Sequence, residues 1–491
     1  MMKKLMLFLT VLLTAMSSVA QSYIEPIVPP TPGNTSKIYK YTPGDGGIFY
    51  DTTGGNEWAI VNAGREDGDE DGACDSKLFN MKTGEIMKID VGGGRYLRFK
   101  QGSIDANILV GRIVMGNPSS NRAASYNRTT KKVTVYPDRT DADGGKWHNG
   151  HLTGCTPDGR YAFGYYQGYI GPNQTSDDLP HDWWFRPLLV DTEKGEVIPI
   201  SDSVLPRGGT MEAIRLPSIS DDGRYVRGDC NWFMQGGASF IYDTQTKRCV
   251  SSMGDTFQQA HGETVATVLA RLQKKHPELI SITGLSAATS TKRTYRCTAS
   301  YRDAQGNTVS AMAVYFRAVK GDGDIADRDE DIRYYPDIED GGVSISYMDD
   351  NGTCYGMTET GSPLRNFKIL YDGKYWVSFN QLCKQRFGYD FYEVTGFERS
   401  GTIMGVSPDG HRLISFPDPM GESFCFDFGM TAHEACSTLD FLSSYSASPE
   451  DGSQFESLKS VEITFERPIR IIGNGGICKG CHLNEYLTDE R

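Results

Sequence analysis

Four groups of residues in this sequence have the types and spacing for chemistry. The densest is Asp67-Gly68-Asp69-Glu70-Asp71-Gly72-Ala73-Cys74-Asp75. Its carboxylates at positions one, three, five and nine (Asp67, Asp69, Asp71 and Asp75) can converge on one hard cation, and Gly72 at the sixth allows the sharp turn. An EF-hand needs Glu at the twelfth position; here that residue is Leu78, so the loop is not an EF-hand. Six acids in the eleven residues from Glu66 repel one another unless a cation lies among them or water hydrates each. The two readings are a structural calcium site and a solvated acidic hairpin. A second acidic run, Asp322 to Asp331, has no Gly in register and reads as a solvated loop.

The second group is aromatic. Tyr165, Tyr166 and Tyr169 end one expected strand, and Trp183, Trp184 and Phe185 open the next, with a polar loop between them. Trp147 lies in the loop just before. Flat rings at a loop mouth can stack on sugar faces, which makes these residues candidate ligand contacts. The competing role is core packing, because large aromatics dominate cores.

The other two groups are weaker. His148, His151 and His181 have metal-ligating side chains, but the Gly-rich flanks argue against the helix that would bring His148 and His151 together, so zinc is not expected. Cys478-Lys479-Gly480-Cys481-His482 matches the c-type haem attachment pattern. Only nine residues follow, with no Met or His for the second axial position. A disulfide or two free thiols is the expectation there, not haem. There is no G-x-S-x-G nucleophile elbow and no phosphate-binding Gly-rich loop. A glycosidase would need paired carboxylates, and sixty-three acids neither exclude such a pair nor locate it.

The elements that must position these residues begin after a leader. Lys3 and Lys4 precede a twelve-residue apolar run, Leu5 to Met16, and Ser18-Val19-Ala20 is a small-x-small cleavage site. This is the pattern of a secretory signal peptide over residues 1–20. The run is shorter than the ~20 residues a membrane span needs, and no later stretch is apolar enough to cross. The expectation is an exported protein of periplasm, cell surface or medium, without a transmembrane anchor. The leader takes two of the fifty basic residues and none of the acids, so the mature net charge is −15. Such a charge repels phosphate backbones and argues against nucleic-acid partners. All eleven cysteines lie in the mature chain; some are expected to pair in an oxidising compartment, and several to be buried thiols.

A unit recurs along the mature chain. Its clearest copies start at Thr156-Pro157-Asp158-Gly159-Arg160-Tyr161, Ser220-Asp221-Asp222-Gly223-Arg224-Tyr225 and Ser407-Pro408-Asp409-Gly410-His411-Arg412. Weaker copies are Asp350-Asn351-Gly352-Thr353-Cys354-Tyr355 and Ser103-Ile104-Asp105-Ala106-Asn107. Asp-Gly and Asn-Gly favour hairpins because Gly accepts positive φ and Asp bonds its own backbone. A later strand ends in a Thr/Gly turn, as in Leu189-Val190-Asp191-Thr192-Glu193-Lys194-Gly195. Turns near Gly54, Ala106, Gly159, Gly223, Ser290, Gly352 and Gly410 give about seven units. The expected fold is all-β, a β-propeller of about seven four-stranded blades with two short inserted helices. The helices are read over Glu263 to His276 and from an N-cap at Ser378. Each precedes a similar phrase, Ser281 to Leu285 and Glu393 to Phe397, read as one inter-blade insertion used twice.

With these motifs the chain resembles secreted propeller-type repeat proteins of the Bacteroidota. Its Val-Ser-Pro-Asp-Gly element after Gly-Thr-Ile-Met-Gly is similar to HAF-type extracellular repeats. The resemblance covers roughly residues 37 to 430 and implies export, with no catalytic set to carry over. The acidic loop resembles the calcium loop of integrin-type FG-GAP blades, which implies Asp67, Asp69, Asp71, Asp75 and the Ala73 carbonyl as ligands. The expected organisation is a signal peptide at 1–20, a Pro-rich lead at 21–36, the propeller at 37–430 and a C-terminal segment at 431–491 with one strand. The expected function is a non-catalytic binding or scaffold protein for a glycan or protein ligand. The alternatives are a glycosidase or lyase with a central-channel site, and a structural part of an envelope assembly.

Overall fold

The computed structural model describes residues 22–437 apart from connecting segments, the longest being 42–47, 63–75, 90–95, 115–120, 172–184, 201–212, 250–263, 288–292, 320–326, 339–342, 359–366, 397–402 and 416–421; beyond them it describes Leu439 and the strands Tyr445–Ser448 and Glu462–Phe465. The chain is mostly β. Six four-stranded sheets and one five-stranded sheet, all antiparallel, follow one another, with a three-stranded and a two-stranded sheet besides.

The first strands of the seven sheets are Ile48–Thr52, Tyr96–Gly102, Gly150–Cys155, Ala213–Ile219, Leu279–Ala287, Val343–Met348 and Ile403–Val406. Each pairs with the next strand through a shift in register, so a β-bulge recurs in every first hairpin. A bulge sharpens the local twist of the strand that carries it.

The turns between first and second strands explain the repeated motif. In three copies the first hydroxyl donates to the Asp carboxylate two residues on: Thr156 to Asp158 at 2.5 Å, Ser220 to Asp222 at 2.6 Å and Ser407 to Asp409 at 2.5 Å. The same carboxylates accept the backbone N–H of Arg160, Arg224 and His411. Gly159, Gly223 and Gly410 take φ of 72–74°, a left-handed conformation that glycine adopts without strain. Ser103 and Asp105 repeat the bonds, with Ala106 at φ 54° in the glycine's place. In the sixth sheet Asp349 replaces the hydroxyl residue and accepts the N–H of Asn351 and Thr353 itself.

From the first sheet to the fourth, and again from the fifth to the seventh, a turn touches the neighbouring sheet. The Ile104 N–H donates to the Pro157 carbonyl at 2.9 Å, and the Asp350 N–H to that of Pro408 at 2.8 Å. A Cβ on Gly55 would lie 2.0 Å from the Ile104 carbonyl oxygen, and one on Gly223 would strike the Tyr161 ring. Gly352 abuts Phe316 of the fifth sheet. The last turn returns to the first: the Asp409 N–H donates to Asn56 Oδ1. The strand Lys37–Tyr41 closes the same junction by pairing with Ser423–Asp427 of the seventh sheet.

Residues 22–36 belong to this closure. Ser22–Tyr23 adds a fifth strand to the outer edge of the first sheet, Ile27 bridges Ile38, and Thr31 donates to the Gly388 carbonyl. The expected lead is therefore docked on the sheets. At the other end the short helix Ala432–Ser437 buries Ala432, Ala435 and Cys436 in the core shared by the sixth and seventh sheets.

Both expected helices are present. Val265–Leu272 is capped by Thr264, whose hydroxyl accepts from the Thr267 N–H, and it buries Val268 and Leu272 against one face of the fifth sheet. The second starts after Ser378 as Phe379–Leu382, runs into a π-helical turn at Cys383–Phe387, and is followed by the helix Phe391–Thr395. Phe379, Phe387 and Phe391 pack between Phe367 of the sixth sheet and Phe426 of the seventh. The two phrases that follow are not alike in structure. Ser281 to Leu285 lies in a strand, whereas Glu393 to Thr395 ends a helix with Gly396 as its left-handed cap.

The acidic run is also more than a solvated loop at its end. Glu330 receives Arg271 of the first helix at 2.8 Å, and Asp331 lies 2.6 Å from His276 Nε2. Among the described residues seven cysteines are free, six of them buried, and the expected pairing is not seen.

Candidate functional site

The repeated turns lie at one end of the sheets. The opposite end holds the starts of the first and third strands and the ends of the second. There, between the second and third sheets, the described residues concentrate polar side chains. The three-stranded sheet of Arg139–Thr140, Lys146–Trp147 and Tyr169–Ile170 covers them.

Trp147 anchors that cover. It is fully buried, its indole N–H donates to Asp141 Oδ2 at 2.7 Å, and Arg186 lies over its ring at 4.7 Å. Tyr169 packs against it at 4.7 Å between centroids. Tyr166 is buried and donates to the Pro137 carbonyl. Phe185 is buried and meets the edge of Tyr165 at 5.1 Å. Of the described aromatic candidates, Trp147, Tyr166, Tyr169 and Phe185 thus serve packing, and Tyr165 is the half-buried one. Its ring stacks on His151 at 5.1 Å. Trp183, Trp184 and His181 lie outside the described residues, as do Asp67, Asp69, Asp71, Ala73, Asp75 and the Cys478 to His482 motif.

His148 and His151 do not converge on a common point. His148 Nδ1 lies 3.1 Å from Asp138 Oδ2, which also receives Arg122 at 2.9 Å. His151 instead turns to the second sheet, where Arg112 Nη1 is 3.4 Å from its Nε2. A guanidinium only donates, so Nε2 accepts and the ring proton sits on Nδ1. Burial, with Arg112, Lys100 and Arg98 nearby, pushes the imidazole down to about 3, so it is neutral at physiological pH. Among the described residues no group of three or more His, Cys, Asp or Glu side chains could hold a metal ion.

Several polar atoms of this cluster are buried and have no hydrogen-bond partner among the described residues: Asn121 Oδ1, Asp138 Oδ1, Asn149 Oδ1, His148 Nε2 and Arg98 Nε. Native proteins satisfy nearly all buried polar atoms, so a cluster of open ones points to water or a ligand. Arg98, Asp138, His148 and Asn149 are each half-buried, which leaves the cluster a route to solvent. Sequence reasoning reached Trp147, Tyr165 and the histidines but missed Arg98, Arg112, Asn121, Asp138 and Asn149. These are scattered over 98–149, and only the nearby run Trp147-His148-Asn149-Gly150-His151 signals the place.

No protein-family model matches the chain, and no curated protein matches it. Solved structures do resemble it. An oligogalacturonate lyase in complex with manganese is 12% identical over 84% of this chain and 98% of its own, with a TM-score of 0.42. An oligogalacturonate lyase from Vibrio parahaemolyticus is 12% identical over 83% and 97%, with a TM-score of 0.40. The β-propeller domain of Cps50 (Swd1) from Myceliophteria thermophila is 11% identical over 83% and 99%, with a TM-score of 0.36. Likeness at these scores carries no argument about ligand or chemistry. Among the described residues no helix is long and apolar enough to cross a membrane.

Proposed function

We propose that this chain is an exported, seven-bladed β-propeller that binds a glycan without turning it over. The blades are the seven successive sheets, and the closing contacts are the Asn56–Asp409 hydrogen bond and the strand Lys37–Tyr41 on the seventh sheet. The binding face is the end of the sheets away from the turns.

One observation carries the reading: Asn121, Asp138 and Asn149 present buried oxygens with no partner among the described residues, and the third sheet adds the half-buried ring of Tyr165 stacked on His151. Open acceptors suit hydroxyl donors, and a ring face suits the apolar face of a sugar. The loop at Asp67 to Asp75 is proposed to hold a structural calcium ion.

The test is a glycan array on residues 21–491, run with calcium and again with EDTA. Saturable binding without turnover, weakened at least tenfold by Tyr165→Ala, is the expected result. Loss of binding in EDTA, reproduced by Asp69→Ala, would support the calcium site. Polysaccharide cleavage by the purified protein would overturn the non-catalytic reading. No binding by folded protein would move the assignment to a protein ligand.

A further inference from the structure

The sixth sheet's turn reverses the chemistry of the other copies. Ser103, Thr156, Ser220 and Ser407 are hydroxyl residues followed two positions on by an aspartate; here the carboxylate Asp349 comes first and the amide Asn351 second. The exchange has two consequences. Asn351 has a side-chain N–H that an aspartate lacks, and it donates to the Asp409 carbonyl in the seventh sheet's turn at 3.0 Å. Asp349 carries a carboxyl group into the junction itself. It is 1% exposed; its Oδ1 accepts the N–H of Asn351 at 2.9 Å and of Thr353 at 3.0 Å, and its Oδ2 accepts the Tyr355 hydroxyl at 2.9 Å. A Cβ on Gly410 would lie 2.3 Å from that Oδ2, so the seventh sheet's turn packs against the carboxyl group.

The cations nearby serve other groups. Arg412 lies against Asp409 at 3.6 Å and Asp427 at 3.1 Å, while Arg296 and Arg333 of the fifth sheet act on Cys354. The remaining titratable neighbours are neutral or acidic. Tyr335 of the fifth sheet and Cys354 and Tyr355 of the sixth feel the Asp349 charge, and Asp409 and Cys436 also act on Tyr355. His411, next to Gly410, acts on Glu434 of the last helix. Burial therefore holds the Asp349 carboxyl up at about 7 in spite of its three donors.

We propose that Asp349 is a proton-operated latch between the sixth and seventh sheets. With the proton on, a neutral group lies under Gly410, and the two turns are joined by the Asn351–Asp409 bond and by the Asp350 N–H on the Pro408 carbonyl at 2.8 Å. With the proton lost to water, a buried charge without a cation lies against the seventh sheet's turn, and opening the junction relieves it by hydration. A group whose closed-state pKa is raised favours the closed state at low pH and loses that effect as pH rises through the raised value. Only this junction should respond. Between the second and third sheets the equivalent bond, from the Ile104 N–H to the Pro157 carbonyl at 2.9 Å, follows the hydroxyl residue Ser103 and not a carboxylate.

The experiment is amide hydrogen exchange on residues 21–491, read at Asp350 and Ile104 and corrected for the intrinsic rate at each pH. Between about pH 4.5 and about pH 7.5, protection at Asp350 should fall about tenfold or more, and at Ile104 less than about threefold. Asp349→Asn, neutral at both pH values, should abolish the fall at Asp350. An equal fall at both positions, or none at Asp350, would overturn the latch. A fall at Asp350 that persists in Asp349→Asn would assign the proton to another group and overturn it too. The comparison of the two junctions needs no variant, so it decides the matter even if Asp349→Asn does not fold.

Discussion

Asn56 and Asp409 stand 353 positions apart and are joined by a hydrogen bond of 2.8 Å, the Asp409 N–H donating to the Asn56 side-chain oxygen. Arg412 secures the same junction. Its Nη1 donates to the Asn56 carbonyl at 3.1 Å and its Nε to Asp427 Oδ2 at 3.1 Å. These bonds tie the turn of the seventh sheet to the first sheet.

Arg412 and Asp427 are both about one-tenth exposed. Arg412→Ala removes a buried guanidinium from both Asp427 and the Asn56 carbonyl, and such a loss costs about 3–5 kcal/mol. Arg224 makes the corresponding pair with Asp243 in the fourth sheet but is one-third exposed. Urea unfolding should therefore show a large loss for Arg412→Ala and a clearly smaller one for Arg224→Ala. Equal losses would show that junction burial does not set the energy of this pair.

The repeated turns predict repeated energetics. Thr156, Ser220 and Ser407 each donate to the turn carboxylate, and each hydroxyl oxygen also accepts the N–H five residues on. Replacing any one by Ala should lower stability by about 1–2 kcal/mol, the usual cost of leaving buried partners unpaired. Thr156→Ala and Ser407→Ala lie in different sheets, so their losses should add to within about 0.5 kcal/mol. Thermal melts of the single and double variants check this, and strong non-additivity would mean the turns are coupled across the sheets between them.

Two buried groups give opposite pH dependences. Burial pushes Asp349 up from 3.8 to about 7, although the backbone N–H of Thr353 and Asn351 and the Tyr355 hydroxyl favour its ionised form. A raised folded pKa gives stability that is complete below the unfolded value and lost as pH rises through the folded one. The Asp349 contribution therefore falls between about pH 4 and about pH 7. His151 is lowered from 6.5 to about 3. Its contribution is complete above 6.5 and is lost as pH falls toward 3. Wild-type stability should look flat between these limits. Asp349→Asn should leave stability rising from pH 3 to 6.5, and His151→Gln should leave it falling from pH 4 to 7. Unfolding free energies measured at half-unit pH steps decide the matter, and an unchanged profile in both variants would refute it.

The first inserted helix should behave as part of the fifth sheet's core. Leu272 is buried against that sheet, and Leu272→Ala is expected to cost about 2–5 kcal/mol. Hydrogen exchange should quicken in Thr294–Arg302, the sheet's second strand. Loss confined to the helix itself would instead make it a surface addition.

Local chemistry was legible in the sequence. The Thr/Ser-x-Asp-Gly turns form because each hydroxyl and carboxylate bonds backbone within five residues, so the motif carries its own cause. The apolar spacing of Val265, Val268, Leu269 and Leu272 marked the first helix for the same reason. Tertiary structure alone decided the rest. Lys37–Tyr41 and Ser423–Asp427 pair across nearly the whole chain, and neither strand names its partner. Trp147 and Tyr166 were candidates for a ligand with core packing as the rival role, and only the packing of the cover put them inside. Arg98, Arg112, Asn121, Asp138 and Asn149 come together because two adjacent sheets meet at their strand ends. Such a site is set by which surfaces are buried together, a long-range property that no spacing along the chain encodes.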